Sequence, residues 1–231
     1  MDTGINLNNM SFFTRTWTFT ETTCAIAALI VPYLLLVYWI LPHFMRNREP
    51  YKLTRPLFIY NVFQVVFSAY GVFHHTRYIF NYGVITTRCA TGDDLPLVKL
   101  AVFPYFLAKH VDLLDTIFIV LKKNYNQVTF LHVFHHTSVV AWMWFLMYNP
   151  TDHYIASGAI NNLIHVLMYA YYAIASLGPE YAKYITWKKN LTKFQLIQFF
   201  AVLIIFYCQQ NFTPCPLPSA LYYYGLICVG S

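Results

Sequence analysis

Apolar residues in this 231-residue chain come in long continuous runs separated by short polar or basic segments. Such runs predict buried or lipid-facing helices rather than the two-residue alternation of a half-exposed strand. Six of them, 22–44, 57–75, 97–121, 128–148, 154–177 and 193–210, come close to the roughly 20 residues a helix needs to cross a bilayer. A seventh run, 219–231, has 13 residues; it is too short to cross, and it predicts a helix that continues past Ser231. The predicted fold is therefore an all-α polytopic membrane protein: a bundle of six complete transmembrane helices plus an incomplete seventh, enclosing a tunnel. Short loops and the absence of repeats predict one domain over 1–231, with its C-terminal helix and tail cut short. The polar, mixed stretch 1–20 has no basic-then-apolar leader, so the first span is expected to act as the insertion signal.

Composition supports lipid as the solvent. Hydrophobic residues make up 58% and charged residues 10% of the chain, too few charges to cover a water-facing surface. The excess of +6 sits between spans rather than in a nucleic-acid-binding patch. Arg46, Arg48, Lys52, Arg55, Lys122, Lys123, Lys183, Lys188, Lys189 and Lys193 fall on one side, against Arg15, Arg77 and Arg88 on the other. Ten against three predicts a lumenal N-terminus by the positive-inside rule. On that orientation Cys89 and Cys215 share the lumenal side, where an oxidising compartment permits a disulfide between two loops; two free thiols are the alternative. Cys24, Cys208 and Cys228 read as small hydrophobes. Asn9-Met-Ser11 is a weak glycosylation signal.

Within the fourth run, His132-Val-Phe-His135-His136 puts three imidazoles at i, i+3 and i+4, on one face of a helix and roughly 6–14 Å inside its end. Polar groups at that depth are costly, and a catalytic cluster explains them better than a hydrogen-bonded seam between helices does. Neighbouring runs carry matching stripes. The third has Lys109, Asp112, Asp115 and Thr116; the fifth has Asn161, Asn162, His165, Met168, Tyr169 and Tyr172; the sixth opens with Thr192, Gln195 and Gln198. Four helices are thus predicted to turn polar faces toward one cavity. Each stripe also has a plainer reading. Lys109 and Asp112 can be a neutralising i, i+3 ion pair, the tyrosines can be packing with polar tips, and the glutamines can be interhelical glue. His43, His110 and His153 lie at span ends or beside other polar groups, and His74-His75 reads as polarity at a span end.

Four segments together resemble the signature motifs of the fatty-acid elongases, the ELO family. They are Lys109-His-Val-Asp112-Leu-Leu-Asp115-Thr116, His132-Val-Phe-His135-His136, His165-Val-Leu-Met168-Tyr169-Ala-Tyr171-Tyr172 and Thr192-Lys-Phe-Gln195-Leu-Ile-Gln198. They stand in the family's order and approximate spacing, and the resemblance runs from the first span to Pro218. One departure is Asp112, where the family usually has Glu. The resemblance implies a seven-helix endoplasmic reticulum enzyme that condenses a long-chain acyl-CoA with malonyl-CoA, releasing CO2 and CoA to give a 3-ketoacyl-CoA. It implies no cofactor, and as partners the two thioesters, membrane lipid and the reductases and dehydratase of the elongation cycle. His135 is then the expected nucleophile toward the thioester, with His165 positioning the reacting groups or acting as acid or base, and His132 and His136 orienting the ring or the thioester carbonyl. Lys109, Asp112, Asp115, Asn161, Asn162, Tyr169, Tyr172, Gln195 and Gln198 are expected to bind the reacting groups. Lys122, Lys123, Lys188 and Lys189 are expected to meet the CoA phosphates. The Leu131-His-Val-Phe-His-His form resembles the polyunsaturated-acyl branch of the family.

Two other readings compete. A membrane di-iron desaturase or hydroxylase needs about eight clustered imidazoles, whereas this chain has one such box and His74-His75 near the opposite face. A seven-helix transporter or receptor would leave the four motifs as coincidence.

Overall fold

The computed structural model describes residues 18–86, 95–148, 151–183, 187–214 and 216–230, and among them every regular element is a helix. Arg15, Arg88, Cys89, Cys215 and the Asn9 sequon lie outside the described residues. Helix α1 (Phe19–Leu35) starts at a capping box: Glu21 N–H donates to Thr18 Oγ1 at 3.2 Å, and Thr18 N–H donates to the Glu21 carboxylate at 2.9 Å. A π-helical turn (Leu36–Ile40) joins it to α2 (Leu41–Met45). Pro42 explains that turn, because its ring has no N–H and crowds the preceding carbonyls, so the ladder widens ahead of it.

Next come α3 (Thr54–Tyr82), α4 (Leu95–Val111) and α5 (Leu113–Leu121). They are followed by α6 (Phe130–Tyr148), α7 (Ile155–Ser176), the short α8 (Pro179–Ala182), α9 (Lys188–Phe212) and α10 (Ser219–Gly230). Every predicted run is helical. The third, expected as one span, divides at Asp112, where the ladder tightens to an i→i+3 bond from Asp115 N–H to Asp112 C=O at 3.1 Å. The Asp112 side chain is drawn sideways into a polar network, described below, and the backbone follows it.

Three stretches, Thr20–Met45, Thr54–Tyr82 and Asn190–Phe212, are long and apolar enough to cross a membrane by length and composition. Division at Asp112 shortens the third run, and histidines and asparagines dilute the fourth and fifth. The exterior is nevertheless suited to lipid: Trp39 is 71%, Phe130 78% and Phe80 85% exposed, while Gln64, His75 and Thr116 are fully buried. Large apolar side chains on the outside, with polar ones buried among an otherwise apolar interior, depart from the pattern of a water-soluble protein.

The most extensive packing is α3 on α7, and its cause is legible in α3. Asn61, Gln64, Ser68, Gly71, His75 and Tyr78 recur at alternating steps of three and four and are all buried. Small and polar residues at this spacing let two helices approach closely and bond across the seam. His75 therefore belongs to this seam rather than to a polar span end; its Nδ1 meets Asn162 Nδ2 at 3.2 Å. A Cβ on Gly71 would lie 2.5 Å from Asn162 Nδ2. Asn162 is 1% exposed and has no room to retreat. Gly71→Ala is expected to destabilise the fold by about 1–3 kcal/mol, measured as a lower apparent Tm of the purified protein in detergent; an unchanged Tm would show that the seam is looser than this.

Candidate active site

Asp112 is the hub of the polar interior. Lys109 Nζ lies 3.0 Å from its Oδ2, the i, i+3 ion pair, and both side chains are almost wholly buried. Tyr169 Oη reaches Asp112 Oδ1 at 3.0 Å and Asp115 Oδ2 at 2.8 Å, so a single phenol proton serves two carboxylates. Gln64 Nε2 from α3 donates to Asp112 Oδ1, and Gln64 also reaches Tyr60 Oη at 3.3 Å. A buried charge pair is tolerated only when its remaining lone pairs and protons are satisfied, and here α3, α4 and α7 supply the partners.

His165 joins this hub through its edge. Its Nε2 is 3.3 Å from Lys109 Nζ and its Nδ1 is 3.9 Å from Asp112 Oδ2. An ammonium can only donate, so His165 Nε2 accepts and the ring proton sits on Nδ1, facing Asp112. Lys109 further lies 4.8 Å from the centre of the Tyr105 ring, and Tyr105 Oη donates to Asn161 Oδ1 at 2.8 Å.

The three histidines of α6 have distinct surroundings. His132 Nε2 is 3.1 Å from Thr116 Oγ1, and Thr116 accepts from Tyr33 Oη at 2.8 Å, which leaves the threonine proton for the imidazole. His136 packs its ring against His132 at 4.5 Å and His135 at 5.8 Å between centroids. His135 lines a cavity of about 70 Å³, together with Lys109, Asn161 and Gln198. Lining residues change in order along the helices. His135, Val139 and Trp142 follow one another on α6, and Gln198, Val202 and Phe206 on α9, so the cavity passes from a polar end to an aromatic end.

Among the candidates, the structure thus brings Lys109, His135, Asn161 and Gln198 to one cavity, with Asp112, Asp115, His165 and Tyr169 in the network behind Lys109. Others are placed elsewhere. Asn162 turns to the α3 seam, one residue and about 100° from Asn161. Gln195 is exposed, with its amide 3.7 Å from Met168 Sδ. Tyr172 is 43% exposed beside the Tyr169 ring. Lys122 is exposed. Lys123 takes a left-handed φ of 56° just beyond α5, and its Nζ reaches the Arg46 carbonyl at 3.5 Å. Lys188 and Lys189 open α9; their side chains lie outside the described set. His110, given no role from the sequence, accepts from Trp144 Nε1 at 2.7 Å and meets the Phe106 carbonyl at 2.7 Å, which ties α4 to α6. Residues the sequence reading passed over are Tyr33, Tyr60 and Gln64, which enter from α1 and α3, and Tyr154 and Ser157 on the cavity wall. The alternating three-four spacing of polar residues in α3 was the available signal for Gln64.

The family model described as the GNS1/SUR4 family, ELO, matches residues 18–231. This chain belongs to that family. The matched range includes all four motifs quoted from the sequence. A very long chain fatty acid elongase of Aedes aegypti is 34% identical over 214 residues, which cover 90% of this chain and 59% of that protein. Very long chain fatty acid elongase 5 of Homo sapiens is 35% identical over 200 residues, covering 83% of this chain and 65% of that one. Very long chain fatty acid elongase 4 of Mus musculus is 32% identical over 239 residues, covering 96% and 75%. The chain thus spans about three fifths of the length of the Aedes aegypti protein. Family membership and the apolar helices together make this a multi-pass membrane protein.

Proposed function

We propose that this protein is the condensing enzyme of fatty-acid elongation, a 3-oxoacyl-CoA synthase that joins an acyl-CoA to malonyl-CoA. The observation that carries the reading is His135 on the wall of a cavity inside the bundle, flanked by Lys109, whose ammonium is held by Asp112 and His165. The names of its relatives and the four ordered motifs supply the substrate class.

In this reading an imidazole nitrogen of His135 attacks the acyl thioester carbonyl. The C–S bond breaks, CoA leaves as a thiolate that takes its proton from water, and an acyl-imidazole remains that still carries the proton on its other ring nitrogen. Malonyl-CoA then loses CO2, and the electron pair of the broken C–C bond becomes an enolate. The enolate carbon attacks the acyl carbon, the new C–C bond forms as the acyl C–N bond breaks, and His135 takes that bond's electron pair and is released neutral with its ring proton kept. Decarboxylation supplies the carbanion, so neither a strong base nor a metal or organic cofactor is required. Lys109, Asn161 and Gln198 are the donors placed to hold enolate or carbonyl oxygens. The surrounding apolar wall keeps water from the acyl-imidazole.

The wider setting belongs to the same proposal. Six complete spans and a seventh would enclose the acyl tunnel in the endoplasmic reticulum membrane, with a lumenal N-terminus. The basic loops, including Lys122, Lys123, Lys188 and Lys189, would meet the CoA phosphates on the cytosolic side. The reductases and dehydratase of the cycle would take the product onward.

Incubating the purified protein with acyl-CoA alone is expected to add one acyl mass to a peptide containing His135, read by mass spectrometry. Absence of an adduct under trapping conditions, with turnover intact, would replace the covalent route by direct attack of the enolate on the thioester. Turnover that depends on malonyl-CoA and is insensitive to chelators separates this chemistry from di-iron desaturation.

A further inference from the structure

The aromatic end of the cavity carries polar groups that neither the network nor the proposed chemistry uses. Tyr154 and Ser157, one turn apart at the start of α7, both line it. They are 3% and 7% exposed, and neither hydroxyl has a hydrogen-bond partner. Gly158 lies between them and also lines the cavity. A Cβ there would stand 3.0 Å from His75 Cε1 and 3.3 Å from His75 Nε2, and His75 Nε2 is likewise buried without a partner. The missing side chain at Gly158 therefore leaves the His75 ring edge close behind the cavity wall.

The contrast with Tyr105 is instructive. Tyr105 and Tyr154 stack at 6.3 Å on the same wall, yet the Tyr105 hydroxyl is bonded to Asn161 and the Tyr154 hydroxyl to nothing. Three unpaired buried polar groups around one glycine are costly, since native interiors satisfy nearly all such groups. A plain hydrocarbon tail lying there would seal them off from any partner. Since His75 Nδ1 accepts from the Asn162 amide, its unpaired Nε2 carries the ring proton, and an oxygen on the tail would serve all three as acceptor, from Tyr154, Ser157 or His75 Nε2–H.

We propose that the aromatic end of this cavity is a hydrogen-bonding subsite for an oxygen function, such as a hydroxyl, on the distal part of an acyl chain. The inference rests on the acyl-CoA condensation reading and deepens it by naming a substrate class, oxygenated acyl chains. Its position fits: Ser157 lies eight residues from His165 on α7, about 12 Å along the axis, so the oxygen sits well beyond the thioester. Trp142, Val202 and Phe206 supply the apolar wall for the methylenes between.

The test compares oleoyl-CoA with ricinoleoyl-CoA, which differs by one hydroxyl beyond the middle of the chain. It uses the full chain in lipid nanodiscs and measures both equilibrium binding and malonyl-CoA-dependent elongation. The hydroxylated chain is expected to bind about tenfold more tightly, the scale of one well-made buried hydrogen bond. Tyr154→Phe and Ser157→Ala should each reduce that ratio, and the double variant should bring it close to one. Gly158→Ala, which places a methyl over His75, should lower it as well. Each single removal of an unpaired hydroxyl should leave the apparent Tm equal or higher, so a misfolded double variant still leaves two readable variants.

Equal binding of the two chains by the unaltered protein, or a preference that survives both single substitutions, overturns the subsite. Ordered water on both hydroxyls with no discrimination between chains does the same. Binding preference without any malonyl-dependent product keeps the subsite and overturns the condensing reading. Elongation of both chains at equal kcat/KM, with equal binding, keeps the condensing reading and overturns the subsite.

Discussion

His135→Ala is expected to lower incorporation of labelled malonyl-CoA into lipid by at least about a thousandfold, the scale seen when a covalent nucleophile is removed. His132 is engaged by Thr116 and His165 by Lys109, while His135 is the histidine of α6 on the cavity wall. Removing its ring enlarges the cavity and keeps both members of the Lys109–Asp112 ion pair. Acyl-CoA binding should therefore persist while turnover and the acyl adduct vanish together. A substitution that merely unfolds the bundle would abolish binding as well, so the binding measurement separates the two. Retention of more than a few per cent of activity would remove His135 from the nucleophile's role and return the choice to His132, His136 or a direct attack.

Much of the fold was legible because lipid imposes a simple rule on the chain. A helix that satisfies its own backbone and turns apolar side chains outward must read as a long apolar run. The runs 128–148 and 154–177 duly became Phe130–Tyr148 and Ile155–Ser176. The division at Asp112 was invisible, because it arises from contacts with Gln64 and Tyr169 on other helices. The orientation of each polar stripe was also out of reach. Asn161 and Asn162 are neighbours in sequence, yet one meets Tyr105 and the other His75. Gln195 and Gln198 look equivalent at three-residue spacing, yet Gln198 lines the cavity and Gln195 is exposed. Spacing shows that residues share a side; which neighbour that side meets is decided by packing, here by the Gly71 and Gly158 approaches of α3 to α7. Tyr154 and Ser157 escaped notice because an aromatic and a serine at a helix start ordinarily read as an end.

Lys109→Met and Asp112→Asn are each expected to destabilise the protein by about 3–5 kcal/mol, since each strands the partner's charge in the interior. For a chain of this size that corresponds to a fall in apparent Tm of roughly 10 °C. Combining the two removes both charges, and the double variant should recover most of that loss, to within about 3 °C of the unaltered protein. Gln64 and Tyr169 can still bond an asparagine amide, and a methionine fills the lysine's volume against Tyr105. Recovery of stability should not bring recovery of elongation, because the ammonium beside His135 and His165 is still missing. That split distinguishes a site group from a structural ion pair, the plainer reading of Lys109 and Asp112. Activity returning with stability would make the pair structural alone. A double variant as unstable as either single one would show instead that the network, rather than charge neutrality, holds α4 to α3 and α7.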